Sequence, residues 1–275
     1  MKVMFSFVPD LGFSIIIMGV IGALIGCYFF LNVMKVSGDE LKTVVIGIFI
    51  SILAGLIGSR IIYVIANKLL QYFYHSSEGF YFKDGGFSLY GGLATGLVVG
   101  YLYLKKKGIA PWQTLDRLAP FLILALGISR IGSEVYGLPI ARDALWTLKI
   151  EGNTYHPTQA YEFLLCYILF GYLWLRLKSK AYHGQVILQS IVGLFLIKGI
   201  VQISLDVPLV FGPITLVQLV SFIGIIITTI YMKFHKQNSV PLKQENVEKY
   251  DISKTWLYIW VLMFLSLISY YLIQG

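Results

Sequence analysis

The sequence predicts an all-α polytopic membrane protein with about seven to eight transmembrane helices and its amino terminus outside. Three observations predict it. Of 275 residues, 57% are hydrophobic and only 13% charged, against about 25% charged in a soluble domain. The apolar residues gather in runs of bilayer-crossing length. Lysine and arginine concentrate in alternate connections between those runs. A soluble chain of this size has too little interior to hide so much apolar surface, whereas lipid can cover it.

Taken in order, the runs lie near 12–34, 44–66, 87–104, 118–132, 160–176, 185–205, 214–232 and 256–273. A helix needs about 20 predominantly apolar residues to cross the hydrocarbon core. The fourth run is the shortest of these and ends in a polar, glycine-bearing stretch. Lys105, Lys106 and Lys107 follow the third run, Arg176, Lys178 and Lys180 the fifth, and Lys233, Lys236, Lys243, Lys249 and Lys254 the seventh. By the positive-inside rule these connections face the cytoplasm. The expected organisation is a transmembrane domain over 1–232, a polar cytoplasmic linker over 233–255 and an additional helix over 256–275. The net charge of +8 sits in short connections, so anionic lipid headgroups and not nucleic acid are the expected partner. The two cysteines, Cys27 and Cys166, lie inside apolar runs. They offer neither a disulfide framework nor a zinc spacing, and no metal or cofactor is expected.

Charges at membrane depth are costly, so each asks for a partner and a reason. Arg60 lies deep in the second span. Its readings are snorkelling, a structural pair with Glu162, or a direct role. Glu162, which opens the fifth span, reads as a partner for an arginine or for backbone amides. Arg130 follows a glycine-bearing turn and is followed by Gly132, a setting that presents a guanidinium to a ligand. Lys198, with Gln202 one turn later, is too central to snorkel and reads as a lipid-headgroup contact. His156 precedes a proline and marks either a loop-to-helix junction or a chemical role, with Thr158 as a possible helix cap. His75, His183 and His235 fall in expected loops, where solvent would surround them. Gly92, Gly96 and Gly100 form small-xxx-small steps suited to close helix packing. The glycine pairs 85–86 and 91–92 sit at a span entrance, where they would let Tyr90 approach a ligand.

Four segments in order resemble the prolipoprotein diacylglyceryl transferases: Gly58–Val64, the Gly-Gly-Phe-Ser-Leu-Tyr-Gly-Gly run at 85–92, the Arg130–Gly137 turn, and Tyr155–Glu162. The combination of Asp116-Arg-Leu-Ala-Pro120 leading to an Arg-Ile-Gly turn and then His-Pro-Thr-Gln-x-Tyr-Glu carries most of the resemblance, which spans roughly residues 10–232. It implies a transferase at the outer face of the bacterial plasma membrane. Such an enzyme moves a diacylglyceryl group from phosphatidylglycerol to the lipobox cysteine thiol of a prolipoprotein, releasing glycerol 1-phosphate. The resemblance places Arg130 as the phosphate-binding arginine. Glu134 and Gly137 match the end of that turn's pattern if a four-residue gap is allowed. Lys198 stands where the family has a second arginine, and Gln202 where it has a glutamate. Ser133 replaces an asparagine, and Tyr90 replaces the histidine of a His-Gly-Gly motif. The expected catalytic set is therefore Tyr90, Glu134, His156 and Lys198, and the expected substrate-binding set Arg130, Ser133, Gly137, Arg60 and Gln202. The expected partners are phosphatidylglycerol or another anionic phospholipid and a prolipoprotein or peptide with an acceptor cysteine. Two rival readings keep the fold: a paralogue lipidating another acceptor, and a lipid-binding protein without chemistry.

Overall fold

A computed structural model describes residues 13–34, 39–74, 87–133, 135, 137–140, 146–150, 152–205, 207, 209–242 and 249–274. These residues form eight α-helices: α1 (Phe13–Met34), α2 (Asp39–Tyr74), α3 (Leu89–Lys106), α4 (Pro111–Ile131), α5 (Thr158–Lys178), α6 (Gln185–Val201), α7 (Leu216–Gln237) and α8 (Lys249–Gln274). Five described stretches are long and apolar enough to cross a bilayer: Glu40–Ala66, Thr158–Lys178, Gln185–Ser204, Leu216–Gln237 and Ile252–Gln274. Ile17–Val33 is apolar but shorter. Such a set is what a multi-pass membrane protein requires.

Two small hairpins depart from the all-helical expectation. β1 (Leu148–Ile150) pairs antiparallel with β2 (Asn153–Tyr155), and β3 (Leu209–Phe211) with β4 (Ile214–Thr215). Gly152 and Gly212 turn these hairpins at φ +85° and +55°, a region that favours glycine. The fourth helix also differs from its expected bounds, because it starts seven residues before the apolar run does. Pro111 occupies a first-turn position, where a missing N–H costs nothing. The polar turn Gln113–Asp116 is helical because Asp116 has partners elsewhere. Helix α7 runs on through Gln237, with His235 and Lys236 in its last turn, where positive charge suits the helix dipole. Its start is fixed by a reciprocal cap: the Gln218 N–H donates to Thr215 Oγ1 (3.2 Å) and the Thr215 N–H donates to Gln218 Oε1 (3.0 Å).

The chain divides into two units, Lys35–Thr114 and Met1–Met34 with Leu115–Gly275. In the smaller unit α2 packs antiparallel on α3. The glycine steps explain the closeness. A Cβ at Gly96 would lie 3.0 Å from the Ser51 carbonyl oxygen, and one at Gly92 3.2 Å from the Ser59 Cβ. A Cβ at Gly91 would lie 2.6 Å from the Ile62 Cβ. Gly91 and Gly92 thus serve helix packing, as the small-xxx-small step beginning at Gly92 predicts. Gly85 and Gly86 lie outside the described residues. Ser88 caps α3 by accepting from the Gly91 N–H, while its own N–H donates to Ser59 O at 3.0 Å.

In the larger unit α1 runs antiparallel to α4. A Cβ at Gly22 would lie 2.7 Å from the Ala125 carbonyl oxygen, and one at Gly26 3.0 Å from that of Phe121. The core is built by α4, β1, α5 and α8, and includes Ile128, Leu148, Phe163, Tyr167, Ile259 and Tyr270. Leu257, Trp260 and Phe264 of α8 point outward, as lipid-facing residues do. Cys166 is buried and Cys27 half-buried, both as free thiols.

One buried carboxylate ties the ends of α4 and α6 together. Asp116, fully buried, accepts from the backbone N–H groups of Gly184 (2.8 Å), Val186 (2.9 Å) and Ile187 (3.1 Å), and from Lys180 Nζ (3.0 Å). A carboxylate is well placed against the unpaired amides of a helix start. Nearby, His235 Nε2 lies 2.9 Å from the His183 carbonyl oxygen, and both histidines are half-buried, which corrects the expectation that they are solvated. Burial first, then the Lys180 ammonium, pushes the His183 imidazole below its ordinary pKa. His75 lies outside the described residues. Asp116→Ala should cost about 3 kcal/mol or more of stability, because it strands a lysine and three helix amides. Thermal unfolding in detergent measures this, and a midpoint equal to wild type would contradict it.

Candidate active site

The opposite end of the larger unit gathers the amino-terminal ends of α1 and α5 with the carboxyl-terminal ends of α4, α6 and α8. Arg130 closes α4, Glu162 lies in the second turn of α5, and Lys198 in the last turn of α6. Their side chains meet. Arg130 Nε lies 2.9 Å from Glu162 Oε1, and Lys198 Nζ donates to the same oxygen at 2.5 Å. The Arg130 Nε contact is an ion pair whose N–H is not aimed for a hydrogen bond. The side chains of Arg130, Lys198 and Glu162 are only 19%, 16% and 11% exposed. Two cations therefore share one carboxylate in a mostly buried place. Glu162 takes Arg130 and Lys198 as its partners, where the sequence left Arg60 as a candidate. Arg60 belongs to the smaller unit, where its guanidinium lies over the rings of Tyr63 (5.7 Å) and Phe87 (5.8 Å). Tyr90 also belongs to that unit, half-buried in the first turn of α3.

The turn after Arg130 is held from several sides. The Ser133 N–H donates to Arg130 O at 3.2 Å. Ser14 Oγ of α1 donates to Gly132 O at 2.9 Å. Gln159 Nε2 donates to Ser133 O (3.2 Å) and also to Val135 O. The Gly137 N–H donates to His156 O (3.2 Å), and the Leu138 N–H to Ser204 O (2.8 Å). A Cβ at Gly137 would collide with Thr158 Oγ1 and lie 2.6 Å from Ser204 O, so close backbone approach requires glycine there. Ser133 is 1% exposed, and its Oγ has no hydrogen-bond partner among the described residues. A buried hydroxyl with no partner, three residues from Arg130, is a place where a ligand atom can bond. Glu134 lies outside the described residues.

His156 Nδ1 lies 3.2 Å from the Tyr161 hydroxyl. Helix α5 begins at Thr158 with Pro157 at the cap position and no side-chain cap, so Thr158 is not the cap the sequence offered. Its hydroxyl instead donates to His156 O (3.4 Å) and accepts from Ser204 Oγ (3.2 Å). Gln202 is buried in the short 3-10 turn Gln202–Ser204 that ends α6. The structure thus brings Arg130, Ser133, Gly137, His156, Lys198 and Gln202 to one end of one unit. Gln159 was missed as a site-building residue, although its signal stood in the His-Pro-Thr-Gln run.

The sequence as a whole matches known proteins over this same region. The profile of the family described as prolipoprotein diacylglyceryl transferase matches residues 5–234. The chain belongs to the prolipoprotein diacylglyceryl transferase family. A relative from Clostridioides difficile (strain 630) is 34% identical over 200 residues, covering 70% of this chain and 79% of the relative. One from Staphylococcus epidermidis (strain ATCC 12228) is 32% identical over 243 residues, covering 82% and 85%. One from Clostridium botulinum (strain Langeland) is 29% identical over 228 residues, covering 77% and 88%. All three are named phosphatidylglycerol–prolipoprotein diacylglyceryl transferase. The family match takes in α1–α7 almost entirely and stops before α8.

Removing Glu162 should expose the strain of the paired cations. Glu162→Gln leaves two buried positive charges facing each other and should cost about 3 kcal/mol or more. Adding Lys198→Met to it should restore most of that loss. Thermal midpoints of the two variants check this, and a double variant no more stable than Glu162→Gln would contradict it.

Proposed function

We propose that this chain transfers a diacylglyceryl group from phosphatidylglycerol to the cysteine thiol of a prolipoprotein, at the outer face of the bacterial plasma membrane. The observation that carries the reading is the charge balance of the buried cluster. Among the described residues, Arg130 and Lys198 share a single carboxylate, so one positive charge is left over in surroundings that disfavour it. An anionic headgroup would satisfy it. The three relatives' names give that headgroup and its acceptor.

In this reaction the thiol sulfur forms a bond to the terminal glyceryl carbon. The bond from that carbon to the phosphate oxygen breaks, and glycerol 1-phosphate leaves with the electron pair. The thiol proton passes to a base. Arg130 Nε faces Glu162, so the two Nη groups are the fork that would take phosphate oxygens. Lys198 adds a second positive charge where negative charge develops on the leaving phosphate. The Ser133 hydroxyl is a further donor for it. By their positions in the family-like motifs of the sequence, and not by any geometry, Tyr90, Glu134 and His156 are the candidates for the thiol side. The His156 imidazole is the group among them that would act as the general base. Gln202 and Gly137 shape the binding side, Gly137 by letting the backbone of the turn close on α5, and the assignment of Arg60 to that side rests on its sequence position alone.

The charge pattern supports the direction. Arg176, Lys178, Lys180, Lys233 and Lys236 lie at the end of α5 and α7 opposite the Arg130 cluster. With that end cytoplasmic, the cluster faces outward and the amino terminus lies outside.

Expression in a bacterium lacking lipoprotein lipidation tests the reading. The expected product is a lipobox cysteine carrying a thioether-linked diacylglyceryl group, detected by intact mass. Good expression with no such product would contradict it. Arg130→Lys should lower kcat/KM by about 100-fold, since a point charge cannot replace the bidentate fork. Lys198→Arg should stay within about 3-fold, because it keeps the charge.

A further inference from the structure

Helix α8 lies outside the matched family region, yet it is bonded into the turn that carries Arg130. The Tyr270 hydroxyl, in a fully buried side chain, donates to Gln159 Oε1 at 2.9 Å. Gln274 Nε2 donates to Ser133 O at 3.0 Å. The Tyr271 hydroxyl donates to Trp146 O at 2.6 Å, in the segment between that turn and β1. Lower on the helix, Tyr167 and Ser266 share a hydrogen bond of 2.9 Å, and Ile259 packs against Gly171. The ring of Phe163 meets that of Tyr270 edge-on, with centroids 5.7 Å apart.

We propose that α8 is a positioning strut for the phosphate-binding turn, and that Tyr270 and Gln274 are its positioning residues. The inference rests on the reading of Arg130 given above. Gln159 serves the turn only in one sense of its carboxamide, with Nε2 toward the carbonyls of Ser133 and Val135. A flipped amide would set its oxygen against those carbonyls. The Tyr270 hydroxyl, donating to Oε1, fixes the working sense. Gln274 supplies a second amide donor to Ser133 O. The Ser133 N–H in turn bonds Arg130 O, so the strut reaches the last turn of α4 through one residue. Four hydrogen bonds, two of them routed through Gln159, therefore depend on a helix that the family match does not include. Catalytic groups need such support to stay within fractions of an ångström of their working places. The packing of α8 along Phe163, Gly171 and Tyr167 does not depend on either polar group, so the strut can be cut while the helix stays docked.

The test uses the full chain in lipid nanodiscs, with phosphatidylglycerol as donor and a synthetic lipobox peptide as acceptor. The double variant Tyr270→Phe/Gln274→Leu keeps both side-chain shapes and removes the polar contacts. Its KM for phosphatidylglycerol should rise about tenfold, equivalent to about 1.4 kcal/mol, with the KM for peptide and the thermal midpoint little changed. Amide hydrogen exchange over residues 132–138 should quicken. The Ser269→Ala control, whose hydroxyl donates to the Leu265 carbonyl of its own helix, should match wild type in each measurement. An unchanged KM with unchanged exchange overturns the proposal. So does a KM effect that comes only with a lowered midpoint, which would mark α8 as a stabilising helix alone. A wild-type chain with no turnover would sink the transferase reading by itself. The strut would then be decided by exchange alone, quickened or not.

Discussion

The carboxylate of Glu162 is the point on which the site depends. It reaches one oxygen to a guanidinium from α4 and an ammonium from α6, so three helices converge on a single acceptor. Without it, neither cation could remain buried at the end of its helix. With it, the two cations are held side by side and, among the described residues, have only one carboxylate between them. On the proposed reading, that imbalance is what makes a structural ion pair an anion site. A fully compensated cluster would only hold the helices together, and an uncompensated one would disrupt them.

The other end of the same helices is pinned by a different device. Asp116 joins α4 to the start of α6 through backbone amides and Lys180. Buried carboxylates thus hold α4 to α6 at both ends, Asp116 with four donors and Glu162 shared by two cations. The Asp116 end has its hydrogen bonds within the chain, and the proposed chemistry belongs to the other end. The turn between Arg130 and Gly137 follows the same logic. Its carbonyls are held by Ser14, Gln159 and Gln274, while the Ser133 hydroxyl has no partner among the described residues.

Much of this was legible in the sequence. Eight apolar runs became eight helices, because length and hydropathy alone decide what lipid can cover. Arg130 and Lys198 were identifiable because a bilayer makes intramembrane charge expensive. Glu162 was read as a structural partner, and the structure shows whose partner it is. The bounds of α4 were not legible, since Gln113–Asp116 is polar and only its contact with α6 explains why it is helical. The packing role of Gly91 was not legible, because a span entrance and a helix contact look alike until the neighbouring helix is in place. Nothing in the sequence of α8 marks Tyr270 or Gln274. Polar residues near the end of an apolar helix look the same whether they face a headgroup or a carbonyl 141 positions back along the chain. Contacts between residues more than 100 positions apart, such as Tyr270 with Gln159, have no local signature at all.

The central claim is that the left-over positive charge beside Glu162 grips the phosphate of a lipid. Calorimetric titration of the purified chain with dihexanoyl-phosphatidylglycerol, set against uncharged dihexanoyl-glycerol, tests it most directly. The account predicts saturable binding of the anionic lipid only, weakened at least tenfold in Lys198→Met, about 1.4 kcal/mol of affinity. Equal binding of both lipids, indifferent to the loss of the Lys198 ammonium, would contradict it.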